Sequence, residues 1–165
     1  MDDAHERASS PETVTYGELP ELTRGLRALG SARGAGNSQQ AQFFRPLLEA
    51  RRRAADARTP VARIAAFDTT ELNKALYKML DRLVTDWPDA REPVRRALRA
   101  ELRERARPYA AALDVLQARA RDAASADEAG RDERWRAWTV QLAATFVAAD
   151  RTWVALSTVA EAVRK

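Results

Sequence analysis

The chain has 165 residues, with 28 Lys and Arg against 24 Asp and Glu, one His and no Cys. Its 45% hydrophobic content is enough for one compact core, and the lack of Cys excludes disulfides, thiolate metal sites and a cysteine nucleophile. The single imidazole, His5, sits in a polar segment, which excludes serine triads, His acid–base catalysis and most transition-metal sites.

No apolar run reaches the roughly 18 residues a membrane-spanning helix needs. Met1-Asp2-Asp3 lacks the basic-then-apolar order of a secretory signal. Both point to a cytoplasmic protein. The net charge of +4 is modest, and all but three of the 28 basic residues are Arg. Arg richness fits a GC-rich, bacterial genome, and its planar fork also suits phosphate and carboxylate.

Residues 1–16 carry Asp2, Asp3, Glu6 and Glu12 against Arg7 and show no periodicity, so a flexible acidic tail is expected there. Leu19, Leu22, Leu26 and Leu29 then mark a short N-terminal helix. The glycines of 30–36 mark a loop. A first main helix runs from an N-cap at Asn37 or Ser38 to about Ala57, with Phe43, Phe44, Leu47, Leu48, Ala50 and Ala54 on its apolar arc. Pro46 either kinks it or sets its start at Arg45.

Thr59-Pro60 opens the second helix. Leu72, Leu76, Met79, Leu80, Leu83 and Trp87 form its stripe. Phe67 points away from that stripe, and Asp68-Thr-Thr-Glu71 has capping-box spacing, so a break is expected at 67–69. Trp87-Pro88 ends the element. The third helix, about 89–123, carries Val94, Leu98, Leu102, Ala106, Tyr109, Leu113 and Leu116, with a kink expected at Pro108. The fourth, about 131–164, carries Trp135, Trp138, Leu142, Phe146, Ala149, Trp153, Leu156, Ala160 and Val163. No segment alternates with the period of a strand. The expectation is an all-α fold: an antiparallel up-down bundle of four main helices plus the short N-terminal helix, forming one domain over 17–165.

Two surface patterns stand out. Arg96, Arg99, Arg103 and Arg107 share one arc of the third helix, opposite its apolar stripe. Like charges one turn apart repel by a few tenths of a kcal/mol, and phosphates would relieve them through contacts that read no sequence. A solvated face flanked by Glu92, Glu101 and Glu104 is the plainer explanation. Arg51, Arg52 and Arg53 form a second cluster, which the helix C-terminal dipole already favours.

On the fourth helix, Val140, Val147 and Val154 recur every seven residues, off the main stripe. A second stripe implies burial on a second side, against another helix of the bundle or against a partner. The four Trp read as core because all lie in the main stripes, with Trp135, beside Arg134 and Arg136, read as the one nearest to the surface. Asp150, between Phe146 and Trp153, reads as a structural ion-pair member. It lacks the Glu-x-x-His companions of a di-metal bundle. Asn73 and Arg105 also fall in apolar arcs.

Ser38-Gln-Gln-Ala-Gln-Phe-Phe44, Arg134-Trp-Arg-Ala-Trp138 and Thr145-Phe-Val-Ala148 resemble segments of the small helical subunits of multi-subunit CRISPR effector complexes. The resemblance covers these segments and not the long third helix. It implies an all-helical, basic, non-catalytic subunit lining a nucleic-acid groove.

The leading expectation is a non-enzymatic protein-interaction module, a small subunit or adaptor that docks on a larger assembly or self-associates, with Val140, Val147 and Val154 at the interface. No catalytic residue, metal, cofactor or small-molecule substrate is indicated. The alternative is sequence-independent binding of a nucleic-acid backbone by Arg96, Arg99, Arg103 and Arg107 with Arg51, Arg52 and Arg53.

Overall fold

The computed structural model describes residues 20–28, 39–86 and 90–164. About 90% of the described residues are helical and none lies in a strand. The helices are α1 (Pro20–Ala28), α2 (Gln39–Asp56), α3 (Pro60–Ala66), α4 (Thr69–Thr85), α5 (Glu92–Ser125) and α6 (Arg131–Arg164). The expected acidic segment 1–16, the glycine loop 30–36, the Asn37 or Ser38 cap, Leu19, Leu29, Trp87 and Pro88 lie outside the described residues. So do the side chains of Leu22, Leu26, Ala160 and Val163.

The helix boundaries follow local chemistry. Thr59 caps α3, its Oγ1 accepting from the Ala62 N–H at 3.2 Å, and Pro60 occupies the first turn, where no N–H is needed. α3 stops at Phe67, whose N–H donates to the Ile64 carbonyl at 3.1 Å. Asp68 then caps α4: its Oδ1 accepts from the Thr70 N–H at 3.0 Å and the Glu71 N–H at 3.4 Å. The expected break at 67–69 is therefore present. Between α5 and α6, Asp127 Oδ1 accepts from the Gly130 N–H at 2.9 Å, and the Gly130 carbonyl accepts from Arg134 at 3.1 Å.

Neither internal proline ends a helix. α2 begins at Gln39 and runs through Pro46, so the start at Arg45 is not the one adopted. α5 runs through Pro108. In each helix the carbonyl four residues earlier, of Gln42 or Glu104, loses its helical N–H donor.

Four long helices pack against each other in a closed ring: α2 on α4, α4 on α5, α5 on α6 and α6 on α2. α3 packs on α2, and α1 packs on α6. At 34 residues each, α5 and α6 are roughly 50 Å long. Gln141 Nε2 of α6 donates to the Ala112 carbonyl of α5 at 3.1 Å.

The core lies inside the ring. Leu47, Leu80, Leu102, Leu113, Leu116, Trp138, Leu142, Phe146 and Leu156 are fully buried there, and side chains of this size each contribute about 1.5–3 kcal/mol on burial. Phe43 of α2 meets Trp153 of α6 at 5.3 Å and Tyr109 of α5 at 5.9 Å between ring centroids. The break at 67–68 has a packing consequence. It turns Phe67, misaligned with the α4 stripe, into the core between Trp138 at 5.9 Å and Phe146 at 6.0 Å.

Burial on α6 is broader than its periodic stripe. Thr139, Thr145, Thr152 and Ala143 are buried along its flanks. Thr139 and Thr145 satisfy their hydroxyls by donating to the carbonyls of Trp135 and Gln141, four residues back, at 3.1 and 2.8 Å. The Thr152 hydroxyl is buried with no partner among the described residues.

Candidate functional site

The outer face of α6 carries the valine series. Val140 is 43% and Val154 59% exposed, while Val147 between them is half-buried. Beside them a groove of about 380 Å³ is lined by Val140, Ala143, Ala144, Val147, Ala148 and the exposed Arg151 of α6, Glu21, Arg24 and Gly25 of α1, and Pro108 of α5. α1 forms one wall. It is held by Glu21, whose Oε1 accepts from Arg136 Nη2 at 2.6 Å, and by a backbone approach of Gly25 to Ala143. The neighbour on this side of α6 is thus the N-terminal helix. Its sequence signal was the glycine inside an amphipathic segment, opposite an alanine-rich stretch of α6.

The four Arg of the α5 ridge are distributed among different partners. Arg99 Nη1 reaches Glu92 Oε1 at 3.4 Å, two turns back, and Arg107 Nη2 pairs with Glu104 Oε2 at 2.7 Å. Arg103 turns instead to α4, its guanidinium carbon 5.8 Å from the centroid of the Tyr77 ring. Among the described residues, Arg96 and Arg103 have no carboxylate partner. Of the flanking acids expected from the sequence, Glu92 and Glu104 therefore compensate half of the ridge, while Glu101 pairs with Arg105 instead.

Tyr77 was missed as a site residue. It is 44% exposed and, with Ala100, Arg103, Glu104 and Arg107, lines a cleft of about 660 Å³ between α4 and α5. Its signal was its position one residue after Leu76, off the α4 apolar stripe.

Arg51 is half-buried, and Arg52 and Arg53 are exposed. Arg53 Nη2 donates to the Ala66 carbonyl at the end of α3 at 3.5 Å, so this cluster takes a different neighbour from the α5 ridge. Arg105 lies outside the core, exposed, and pairs with Glu101 at 2.8 Å. Asn73 and Asp150 are half-buried, and Asp150 forms no ion pair among the described residues. Among the described residues, no group of three or more His, Asp or Glu is placed to hold a metal ion.

Trp135, the Trp read as nearest to the surface, is buried and stacks on Trp138 with centroids 5.2 Å apart. The Arg63 guanidinium carbon lies 5.9 Å from the Trp135 ring centroid. Arg63 is only 8% exposed, and among the described residues its Nε and Nη1 have no hydrogen-bond partner, nor do the indole N–H groups of Trp135 and Trp138. Nothing in the sequence marked Arg63 as buried beyond its place one turn before Phe67.

Comparison of the chain with protein-family models, with curated proteins and with solved structures finds no match. The aromatic residues in the segments that resemble small CRISPR-complex subunits, Phe43, Phe44, Trp135, Trp138 and Phe146, are all buried in the core of this chain.

Proposed function

We propose that the chain is a non-enzymatic helical protein-interaction module that self-associates through the outer face of α6. The observation that carries this is the exposure of Val140 and Val154 on either side of the groove-lining Val147. Apolar side chains repeating every seven residues along one helix are the pattern on which an identical helix packs, and an apolar strip left open to water favours association. α1 occupies one flank of that strip, where Val147 is half-buried, and leaves Val140 and Val154 exposed.

The proposal takes 17–165 as one domain and the ring of long helices as an antiparallel up-down bundle, the order that short turns between long neighbours produce. In that arrangement α6 presents its outer face along most of its length. Docking by the same face on a larger assembly would use the same valines.

Sedimentation velocity on the whole chain over a concentration series tests the proposal. A monomer–dimer equilibrium is expected, and Val154→Glu shifts it to monomer without changing the far-UV circular dichroism melt. A wild-type chain that stays monomeric throughout contradicts self-association.

A further inference from the structure

We infer that the α4–α5 face binds single-stranded nucleic acid, with the Tyr77–Arg103 pair as a base-stacking platform and the Arg ridge as the phosphate track. This goes beyond the proposed self-association and uses a different surface. Pro108, which lines the α6 groove, is five residues from Arg103, roughly 140° around α5.

Three observations combine here. First, Tyr77 is an exposed aromatic in a cleft with Arg103 and Arg107, whose one acid, Glu104, pairs with Arg107, and stacking on bases requires an exposed aromatic beside cations. The buried tryptophans do not offer it. Second, Arg103 lies against the Tyr77 ring at 5.8 Å instead of taking a carboxylate. A guanidinium plane held in this way is itself a stacking surface for a base, and the cation–π contact limits the entropy lost when a ligand arrives. Third, the cleft of about 660 Å³ between Tyr77 and the Arg103–Arg107 turn is open to solvent beside the pair.

The phosphate track follows from helix geometry. Arg96, Arg99, Arg103 and Arg107 rise along one side of α5 at about 1.5 Å per residue, so the ridge spans roughly 16 Å. Arg96 and Arg103 carry no carboxylate partner among the described residues. The bonds of Arg99 to Glu92 and of Arg107 to Glu104 are solvent-exposed, and exposed pairs of this kind are worth little and exchange readily for a phosphate. A single strand is favoured over a duplex because a paired, stacked base offers no free face to Tyr77. The contacts distinguish no base, so binding depends on strand form and salt and not on sequence.

The test is fluorescence anisotropy of labelled oligo(dT), about 16 nucleotides long, titrated with the whole chain between about 50 and 200 mM salt. Micromolar binding that weakens steeply with salt is expected. Tyr77→Ala weakens it at least about fivefold with the salt slope kept, and Tyr77→Phe restores it to within about twofold of wild type. Arg96→Ala weakens binding and lowers the slope by about 0.7. Val154→Glu leaves the affinity unchanged, so failure of self-association and failure of strand binding are read separately. Three results would each overturn the inference: no salt-sensitive binding at the lowest salt, wild-type affinity in Tyr77→Ala, or a duplex of equal length binding as tightly as the strand.

Discussion

Gly25 of α1 meets Ala143 of α6 backbone to backbone: a Cβ on Gly25 would lie 2.8 Å from the Ala143 Cα and 2.9 Å from its carbonyl oxygen. That closeness is possible only because neither residue has a side chain beyond Cβ. It also makes α1 dependent on one position. A nine-residue helix does not persist in water by itself, so α1 is held by its docking and by the Glu21–Arg136 contact.

Gly25→Ala sets two effects against each other. Ala favours a helix over Gly by about 1 kcal/mol. Forcing a methyl group into a filled site costs about 1–3 kcal/mol, and the obstructing atoms are backbone, which cannot turn aside. The clash wins. Hydrogen exchange is expected to show α1 amides losing protection while α4 and α5 keep theirs. Increased protection of α1 would show that the gap is wider than described.

Arg63 gives a prediction of opposite sign. Its Nε and Nη1 are buried without partners among the described residues, and each such donor costs about 1–3 kcal/mol. The contact with Trp135 returns about 0.5–2 kcal/mol. Arg63→Met keeps the length of the side chain and removes the donors. It should stabilise the chain by about 1 kcal/mol or more in urea denaturation. A loss of stability of similar size would mean that the guanidinium is better satisfied than its geometry indicates.

Tyr109 supplies a pH dependence. Burial pushes its phenol well above the ordinary value of 10.0. Below about pH 10 the folded and unfolded chains both hold the proton, and the group has no effect on stability. Above it the unfolded chain releases the proton while the folded chain keeps it. Stability then falls as pH rises, by up to about 1.4 kcal/mol per pH unit. Urea melts at pH 8, 10 and 11 should show a steeper alkaline loss in wild type than in Tyr109→Phe. Equal losses in the two proteins would place the Tyr109 hydroxyl in water.

Much of the fold was legible because its signals are local and periodic. The stripes Leu72–Leu76–Met79–Leu80 and Leu98–Leu102–Leu113–Leu116 are buried as their spacing requires. Thr59-Pro60 and Asp68 carry cap chemistry that needs no tertiary partner, so the break at Phe67 could be read from the chain. What was not legible depended on long-range approach. The choice at Pro46 between continuation and a start at Arg45 is one case: tertiary packing outweighs one lost hydrogen bond there, as it does at Pro108, through which the helix is expected to run. The packing of α1 on α6 rests on small residues, which carry little periodic signal. Thr139, Thr145 and Thr152 are buried although polar.

The surface was less legible than the core. A helical wheel shows Arg103 on a ridge with three other Arg but not that it turns to Tyr77 on another helix. Glu92 reaches Arg99 because long side chains span two turns, a pairing that counting at i, i+3 and i, i+4 does not find. The valine series was visible as a repeat. Its partial cover by α1 at Val147 was not, because that depends on where a separate short helix docks.

The absence of Cys from the chain makes the most direct test of the α6 face clean. A spin label on Val154→Cys, at a position 59% exposed in the single chain, reports only what covers that face. Self-association predicts that the label becomes immobilised as protein concentration rises, and that Val140→Glu in the same chain keeps it mobile. A label equally mobile at every concentration would contradict the account.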